Sequence, residues 1–409
     1  MIISLMLMGM RTATLAIKFA LTLFIAQYMG LAVLGSYGLI SAAIALFATL
    51  GDLSLLYTIA REAVTLSEQA LCGQLKRYGQ YLLIVAGLAL LFALSAAFVA
   101  NDVPYALLII ALLYFEMINV TFYGLLINLS RPILASLLHF IRSGLWAIFF
   151  MTLAYFYPEY RTITILLCMW VLSSVVTIIV LALALIKLPW GQAEAIGSFK
   201  SWFVIRWHRS KAAFKLSVVS TISNNATQLT LGTLLSLEIV GVYVFFYQAF
   251  SALSNIVQIG FIQIFRPELI RLTEGPVKKM HRIIRQKLSQ VISLAIGLAI
   301  LTYPTYYLLT NALNKAEVIE HFWLFSLVLL AFVVNMVNGV LDALLYSYSR
   351  DDLLLKIAFI FFACNLGLKI PLILGLGLTG AIIADLSCLG IMFFVRRSYI
   401  LHTCKLSIP

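Results

Sequence analysis

Twelve long apolar runs divide this chain, and they dictate the solvent it folds in. They lie near residues 13–29, 33–58, 80–100, 104–127, 133–156, 162–186, 213–235, 239–265, 288–310, 322–346, 354–374 and 378–395. Each is close to the roughly 20 residues that an α-helix needs to cross the hydrocarbon of a bilayer. The runs are continuous rather than alternating at period two, which excludes β-barrel strands. Hydrophobic residues fill 63% of the 409 positions and charged ones 11%. A water-soluble domain lacks the polar surface to dissolve so much apolar side chain. The expected fold class is therefore an all-α integral membrane protein of about 12 transmembrane helices.

A weak internal repeat organises these runs. Gly35-Ser-Tyr37 opens an apolar stretch that closes at Arg61-Glu62, and Gly241-Val-Tyr243 opens another that closes at Arg266-Pro-Glu268. Gly35, Tyr37 and Glu62 each recur 206 positions later. Six spans per half is an even number, so both halves enter the membrane with the same orientation. Such a repeat is parallel, related by an axis along the membrane normal, as in many transporters. The expected organisation is an N-terminal six-helix lobe over 1–187, a linker over 188–212 and a C-terminal six-helix lobe over 213–409.

The net charge of +12 resembles a nucleic-acid signature, but its distribution points to membrane topology. Lys and Arg concentrate in alternate loops: Arg61, Lys76 and Arg77; Lys200, Arg206, Arg209 and Lys211; Arg266 through Lys287; and Arg396, Arg397 and Lys405. The intervening loops hold Arg161 and Lys315. Basic loops stay in the cytoplasm, so both termini are expected there, with no nucleic-acid partner. Residues 188–212, with Trp190, Trp202 and Trp207 among basic residues, read as an amphipathic segment lying on the membrane surface. The basic stretch 266–287, broken by Glu274-Gly-Pro276, reads as attracted to anionic headgroups. No cleavable signal peptide is expected, because the first apolar stretch runs into a full span. The five scattered cysteines form neither a disulfide framework nor a metal spacing.

Ionisable groups inside spans are costly and face the bundle interior or water. The candidates are Lys18, Asp52, Glu116, His139, Arg142, Asp342, Lys369 and Asp385. Helical rise places Lys369 and Asp385 at similar depth on the last two spans, and Glu116 within roughly 3 Å of the depth of Arg142. Both couples read as ion pairs, with Asn365 one turn from Lys369 and His139 one turn from Arg142. Lys18 has no equally deep acid on the neighbouring span. It competes between an anion-binding role and a pairing with some non-adjacent helix. The seventh span carries the stripe Ser217, Thr221, Asn224 and Gln228, and the tenth carries Asn335, Asn338 and Asp342. Such stripes glue helices or line a cavity. No P-loop, HExxH, CxxC or GxSxG run is present, so nucleotide, metal and hydrolytic chemistry have no visible seat, and no catalytic residue or cofactor is expected.

Leu34-Gly-Ser-Tyr-Gly-Leu39 leading to Leu50-Gly-Asp-Leu53 and Arg61-Glu62 resembles the second span of lipid-linked oligosaccharide flippases. These O-antigen and polysaccharide flippases share a superfamily with multidrug and toxin extruders and the peptidoglycan precursor flippase. Glu238-Ile-Val-Gly-Val-Tyr243 through Arg266-Pro-Glu268 is similar to the matching eighth span, and Gly377-Leu-Thr-Gly-Ala-Ile-Ile-Ala384 to the start of the twelfth. The resemblance implies two six-helix lobes around a central cavity that opens alternately to either side of a bacterial cytoplasmic membrane. It also implies a polyprenyl pyrophosphate carrying sugars as cargo, and other polysaccharide-assembly membrane proteins as candidate partners beside the lipids. Lys18 and Arg142, then Lys369, are the expected pyrophosphate ligands. His139, Asn224 and Gln228 are expected to join them along the cavity. Relatives place an Asp in the polar part of the seventh span, where this chain has Asn224 and Asn225, which puts cation coupling there in doubt.

Two rivals stand beside this reading. A transporter of a small solute or drug, coupled to a proton or sodium gradient, would use Asp52, Asp342 or Asp385, but a cavity with more bases than acids opposes cationic drugs. A membrane polymerase, ligase or acyltransferase would need a large outward loop or an active histidine. The outward loops here are short, and His139 is the one histidine well inside a span.

Overall fold

The computed structural model describes residues 2–100, 103–262, 265, 269, 277–348 and 351–404. Every regular element among them is helical. In chain order they are α1 (Ile2–Phe24), α2 (Leu31–Asp52), α3 (Leu55–Glu62), α4 (Glu68–Ala100), α5 (Val103–Asn128), α6 (Pro132–Phe140), α7 (Trp146–Phe156), α8 (Ile163–Leu185), α9 (Phe199–Leu234), α10 (Leu237–Val257), α11 (Val277–Leu313), α12 (Ala316–Glu320), α13 (Leu324–Ser347) and α14 (Asp351–Cys404). Wider π-helical turns extend α1 over Ile25–Met29, join α6 to α7 over Ile141–Leu145, and extend α10 over Gln258–Ile262.

Local chemistry sets several boundaries. Gly30, at φ 96°, makes the tight turn between α1 and α2 that a side chain would resist. Pro132 opens α6, where its missing N–H costs nothing. The Thr162 and Ser236 hydroxyls cap α8 and α10 by accepting from the Ile165 and Ile239 amides. Between α2 and α3, Leu53 and Ser54 both take left-handed backbone, at φ 50° and 54°. That conformation costs roughly 1–2 kcal/mol per residue without glycine, so this joint is held against strain.

Ten helices among the described residues are long and apolar enough to cross a membrane. The expected count of twelve differs for two physical reasons. The last two runs lie in one helical stretch, α14, which Gly377 breaks at φ 59°, ψ −133°. The seventh run belongs to α9, a 36-residue helix whose charged first half and polar stripe make it too hydrophilic to qualify. The segment expected to lie flat on the bilayer is thus the beginning of that helix, and it docks on protein. Trp202, Arg206 and Ser210, spaced four apart, are all buried. The Trp202 indole and the Arg206 Nε both donate to Gln74 Oε1, at 2.7 and 3.1 Å. Arg206 and Arg209 clasp Glu62 at 2.8 and 2.9 Å. The closing motif Arg266-Pro-Glu268 and the break at Glu274-Gly-Pro276 lie outside the described residues.

The packing separates into two compact units, residues 1–24 with 40–221, and residues 25–39 with 222–409. The units interleave along the chain where the expected lobes are contiguous. The reason for the first exchange is visible in the second unit, where the start of α2 crosses α10 at glycines. A Cβ on Gly35 would lie 2.0 Å from the Leu237 carbonyl oxygen, and one on Gly241 would lie 2.1 Å from that of Leu31. Leu31 and Leu237, like Gly35 and Gly241, are 206 positions apart. The crossing is therefore reciprocal under the sequence repeat, each glycine admitting the other helix's backbone. Small residues let apolar helices approach this closely in lipid.

Alanine at Gly35 or Gly241 must push the two backbones apart, an overpacking cost of about 1–3 kcal/mol. Thermal unfolding of the detergent-solubilised protein is expected to show a lowered Tm for Gly35→Ala and Gly241→Ala. Gly124→Ala, where a Cβ meets nothing within 4 Å, should leave it unchanged or raised.

Candidate functional site

The first unit holds a charged cluster built from α1, α5, α6, α8 and the π-turn after α6. Glu116 on α5 is buried, and its Oε1 accepts from the Ser174 hydroxyl of α8 at 2.6 Å. Its Oε2 lies 3.3 Å from Arg142 Nη1. Arg142 sits within Ile141–Leu145, so the wider turn helps decide where its guanidinium points. Arg142 Nη2 donates to His139 Nδ1 at 3.3 Å, which makes that ring nitrogen the acceptor. Nη1 is buried and makes no hydrogen bond, because its approach to Glu116 is ionic in distance but poorly directed. One donor of Arg142 is left unused.

Lys18, one helix away on α1, faces this cluster. It lies within electrostatic reach of both Arg142 and Glu116, and no carboxylate among the described residues touches it. Arg11 stands two turns earlier on the same face of α1, a spacing of about 10 Å. Its Nη2 donates to the Tyr123 hydroxyl at 2.5 Å, and the Tyr123 ring leans on His139 with centroids 5.8 Å apart. His139 feels the charges of Arg142, Lys18 and Arg11 together. A small cavity opens beside the cluster, lined by Asn119, Tyr123, His139, Arg142 and Thr177 among others. The Asn119 amide donates to the Ser174 carbonyl at 3.1 Å, and its own oxygen has no partner. The cluster thus sets three cations against one carboxylate, with spare donors on Arg142 and Lys18.

The second unit holds a buried charge cluster of its own, and this one is closed. Lys369 Nζ lies 2.8 Å from Asp385 Oδ1, the pairing that their equal depth predicts. Asp385 also accepts from the Thr227 hydroxyl at 2.7 Å and the Tyr243 hydroxyl at 3.1 Å. With its charge matched and three donors on its oxygens, Asp385 has little capacity left for another cation. Lys369 is equally committed, which separates it from Lys18 as an anion ligand. Asn365 donates to the Phe361 carbonyl at 2.7 Å and keeps an unpartnered buried oxygen.

The remaining candidates scatter. Asp342 is gripped in two-point fashion by Arg396, at 2.6 and 2.9 Å, and Asn338 donates to the Leu389 carbonyl at 3.0 Å. The tenth-span stripe thus joins α13 to α14 rather than lining a site. Along α9, Thr221 shares a 2.9 Å hydrogen bond with Thr49, Asn224 is exposed, and Gln228 packs near Gly38. Asp52 stands apart from both clusters, held by Tyr78. Sequence reasoning missed Arg11, Tyr123 and Ser174. Starting the first span at residue 13 left Arg11 outside it, although its seven-residue spacing from Lys18 puts the two on one face.

No family model and no curated protein sequence matches the chain. Solved structures do. The lipid II flippase MurJ, in an inward closed conformation, aligns with a TM-score of 0.75 at 13% identity, over 99% of this chain and 88% of that one. An inward-facing multidrug resistance MATE family transporter of the MOP superfamily aligns at 0.71 and 15% identity, over 97% and 96%. The chain shares the fold of these two proteins. A MATE transporter from Vibrio cholerae extends the likeness, at a TM-score of 0.60 and 13% identity, over 97% and 95%. None of these three proteins is named as an enzyme.

Within this fold, removing Lys369 alone strands Asp385 in a low-dielectric site. Breaking a buried pair from one side costs about 3–5 kcal/mol, whereas replacing both partners is near neutral. Lys369→Met is expected to lower the Tm sharply in detergent, and Lys369→Met with Asp385→Leu to recover most of the loss. An unchanged Tm in the single variant would mean that the pair is not buried as described.

Proposed function

We propose that this protein is a flippase, carrying a polyprenyl-pyrophosphate-linked oligosaccharide such as an O-antigen repeat unit across the bacterial cytoplasmic membrane by alternating access. The observation that carries the reading is the surplus of positive charge around Glu116. Arg11, Lys18 and Arg142 face one carboxylate, and Lys18 has no acidic partner among the described residues. A pyrophosphate is the cargo chemistry that matches. It brings the missing negative charges and accepts charge-assisted hydrogen bonds from Lys18 and from the unused donor of Arg142. Asn119, whose side-chain oxygen has no partner, offers a hydrogen bond to the sugars, while the polyprenyl tail stays in lipid. His139 and Tyr123 position Arg142 and Arg11.

The likeness to MurJ, a lipid II flippase by name, supports a lipid-linked cargo. The likeness to multidrug transporters keeps a second reading open, a coupled exporter of small solutes or drugs. Cationic drugs fit poorly beside three cations, and Asp342 and Asp385 are already paired. The cytoplasmic placement of both termini belongs to the same proposal and rests on the basic loops. The organisation as two six-helix lobes, over 1–187 and 213–409, is part of the proposal too and rests on the internal repeat.

The test is transfer of a fluorescent polyprenyl-pyrophosphate oligosaccharide in vesicles containing the purified protein. Lys18→Ala is expected to reduce transfer at least tenfold, the equivalent of one lost charge-assisted hydrogen bond. Lys18→Arg should retain most of it, with equal protein recovered in each membrane. In cells, the same variant is expected to lose surface polysaccharide. Undiminished transfer by Lys18→Ala, or transport of a cationic dye in place of the lipid, overturns the reading.

A further inference from the structure

Asp52 is the buried carboxylate that the proposed transport path does not use. It ends α2, and immediately after it Leu53 and Ser54 carry the chain through two left-handed residues into α3. Asp52 Oδ1 accepts from the Tyr78 hydroxyl at 2.5 Å and from the Leu56 amide, in the first turn of α3, at 3.3 Å. Beside it, the Tyr81 hydroxyl donates to the Gly51 carbonyl at 2.6 Å and pins the end of α2 to α4. The titratable groups facing Asp52 are Tyr78 and Tyr81, both on α4. From α5, Thr121 reaches Tyr78, and Met117 would meet a side chain at Gly51. Glu116, Asp342 and Asp385 each have a basic partner. Asp52 is the buried carboxylate with none among the described residues.

A carboxylate without a counter-cation can carry a proton in place of its charge. In the charged form it binds the first turn of α3 strongly, since anions are favoured at a helix N-terminus and charge-assisted hydrogen bonds exceed neutral ones. That grip is what opposes the strain of Leu53 and Ser54. Protonation removes the charge and weakens the grip while the strain remains, so the joint is free to relax. α3 ends at Glu62, which Arg206 and Arg209 clasp, so a change in its angle is passed to α9. Arg206 and Arg209 lie in the first half of the helix that continues into the polar stripe of the seventh run.

We infer that Asp52 is a proton-binding site and that its occupancy sets the angle between α2 and α3 through the strained Leu53–Ser54 joint. No other group need titrate. Tyr78 stays a donor, and the Glu62 clasp transmits the movement without changing its own charge.

The test uses the full chain in lipid nanodiscs with its five cysteines replaced and spin labels at Tyr57→Cys on α3 and Leu83→Cys on α4, both exposed positions. The distance distribution is recorded from about pH 9 to about pH 4, a range that spans carboxylate titration. Two populations are expected to exchange across this range in the parent protein. Asp52→Asn, which keeps the hydrogen-bonding shape without the charge, should hold the acid population at every pH. Asp52→Glu should still titrate, and so should the double replacement Lys369→Met with Asp385→Leu. An invariant distribution in the parent protein, or an unchanged pH response in Asp52→Asn, overturns the inference. Because no cargo is present, the outcome is independent of the flippase reading.

Discussion

The hydrocarbon surroundings penalise every ionised side chain inside a span, and the arrangement of polar groups there follows from how each is satisfied. Glu116 takes Arg142 and Ser174; Asp385 takes Lys369, Thr227 and Tyr243; Asp342 takes both forks of Arg396. In water such pairs would contribute little. In a low-dielectric interior an unpaired member costs several kcal/mol, so these couples constrain which helices stand next to one another. The same constraint gives meaning to the exceptions. Lys18 and Asp52 lack opposite charges in contact among the described residues, and a side chain kept under that penalty points to a purpose beyond packing.

The pairings were legible in the sequence because helical rise converts residue number into depth. Lys369 with Asp385 and Glu116 with Arg142 needed no other information. The docking of α9 was not legible. An amphipathic helix rich in Trp and Arg has the same pattern whether its apolar face meets lipid or protein, and only Gln74 and Glu62, more than 120 positions away, decide between them. Arg142 was legible as a deep cation, but its bond to His139 and its unused donor depend on the π-turn at Ile141–Leu145, for which no residue pattern is diagnostic. Ser174 and Tyr123 read as ordinary span residues until the fold sets them against Glu116 and Arg11. The twelve runs survived as a layout, while the helix count changed at α9 and at Gly377.

The repeat has structural content at its glycines and not at its charges. Gly35 and Gly241 meet each other's helices through backbone atoms alone, so this contact is preserved whatever the neighbouring side chains become. The positions 206 residues after Arg11 and Lys18 are Ser217 and Asn224. The polar stripe of the seventh run is therefore the counterpart of the cationic face of the first, with hydrogen-bonding groups in place of charge. Both halves carry polar residues at these positions, and only the first half carries charge there.

That asymmetry bears on what the fold can carry. A cargo with a compact anionic group, such as the proposed pyrophosphate, needs cations gathered in one place, and the first unit gathers them. A cation-coupled drug exporter needs an acidic group able to exchange a small cation, and Asp385, the best-placed acid in the second unit, already holds the ammonium of Lys369. Asp52 could supply exchange of a proton without competing for cargo, because it lies among tyrosines and apolar side chains, outside the cationic cluster. Charge recognition and charge movement would then reside in different residues, so either could change without disturbing the other.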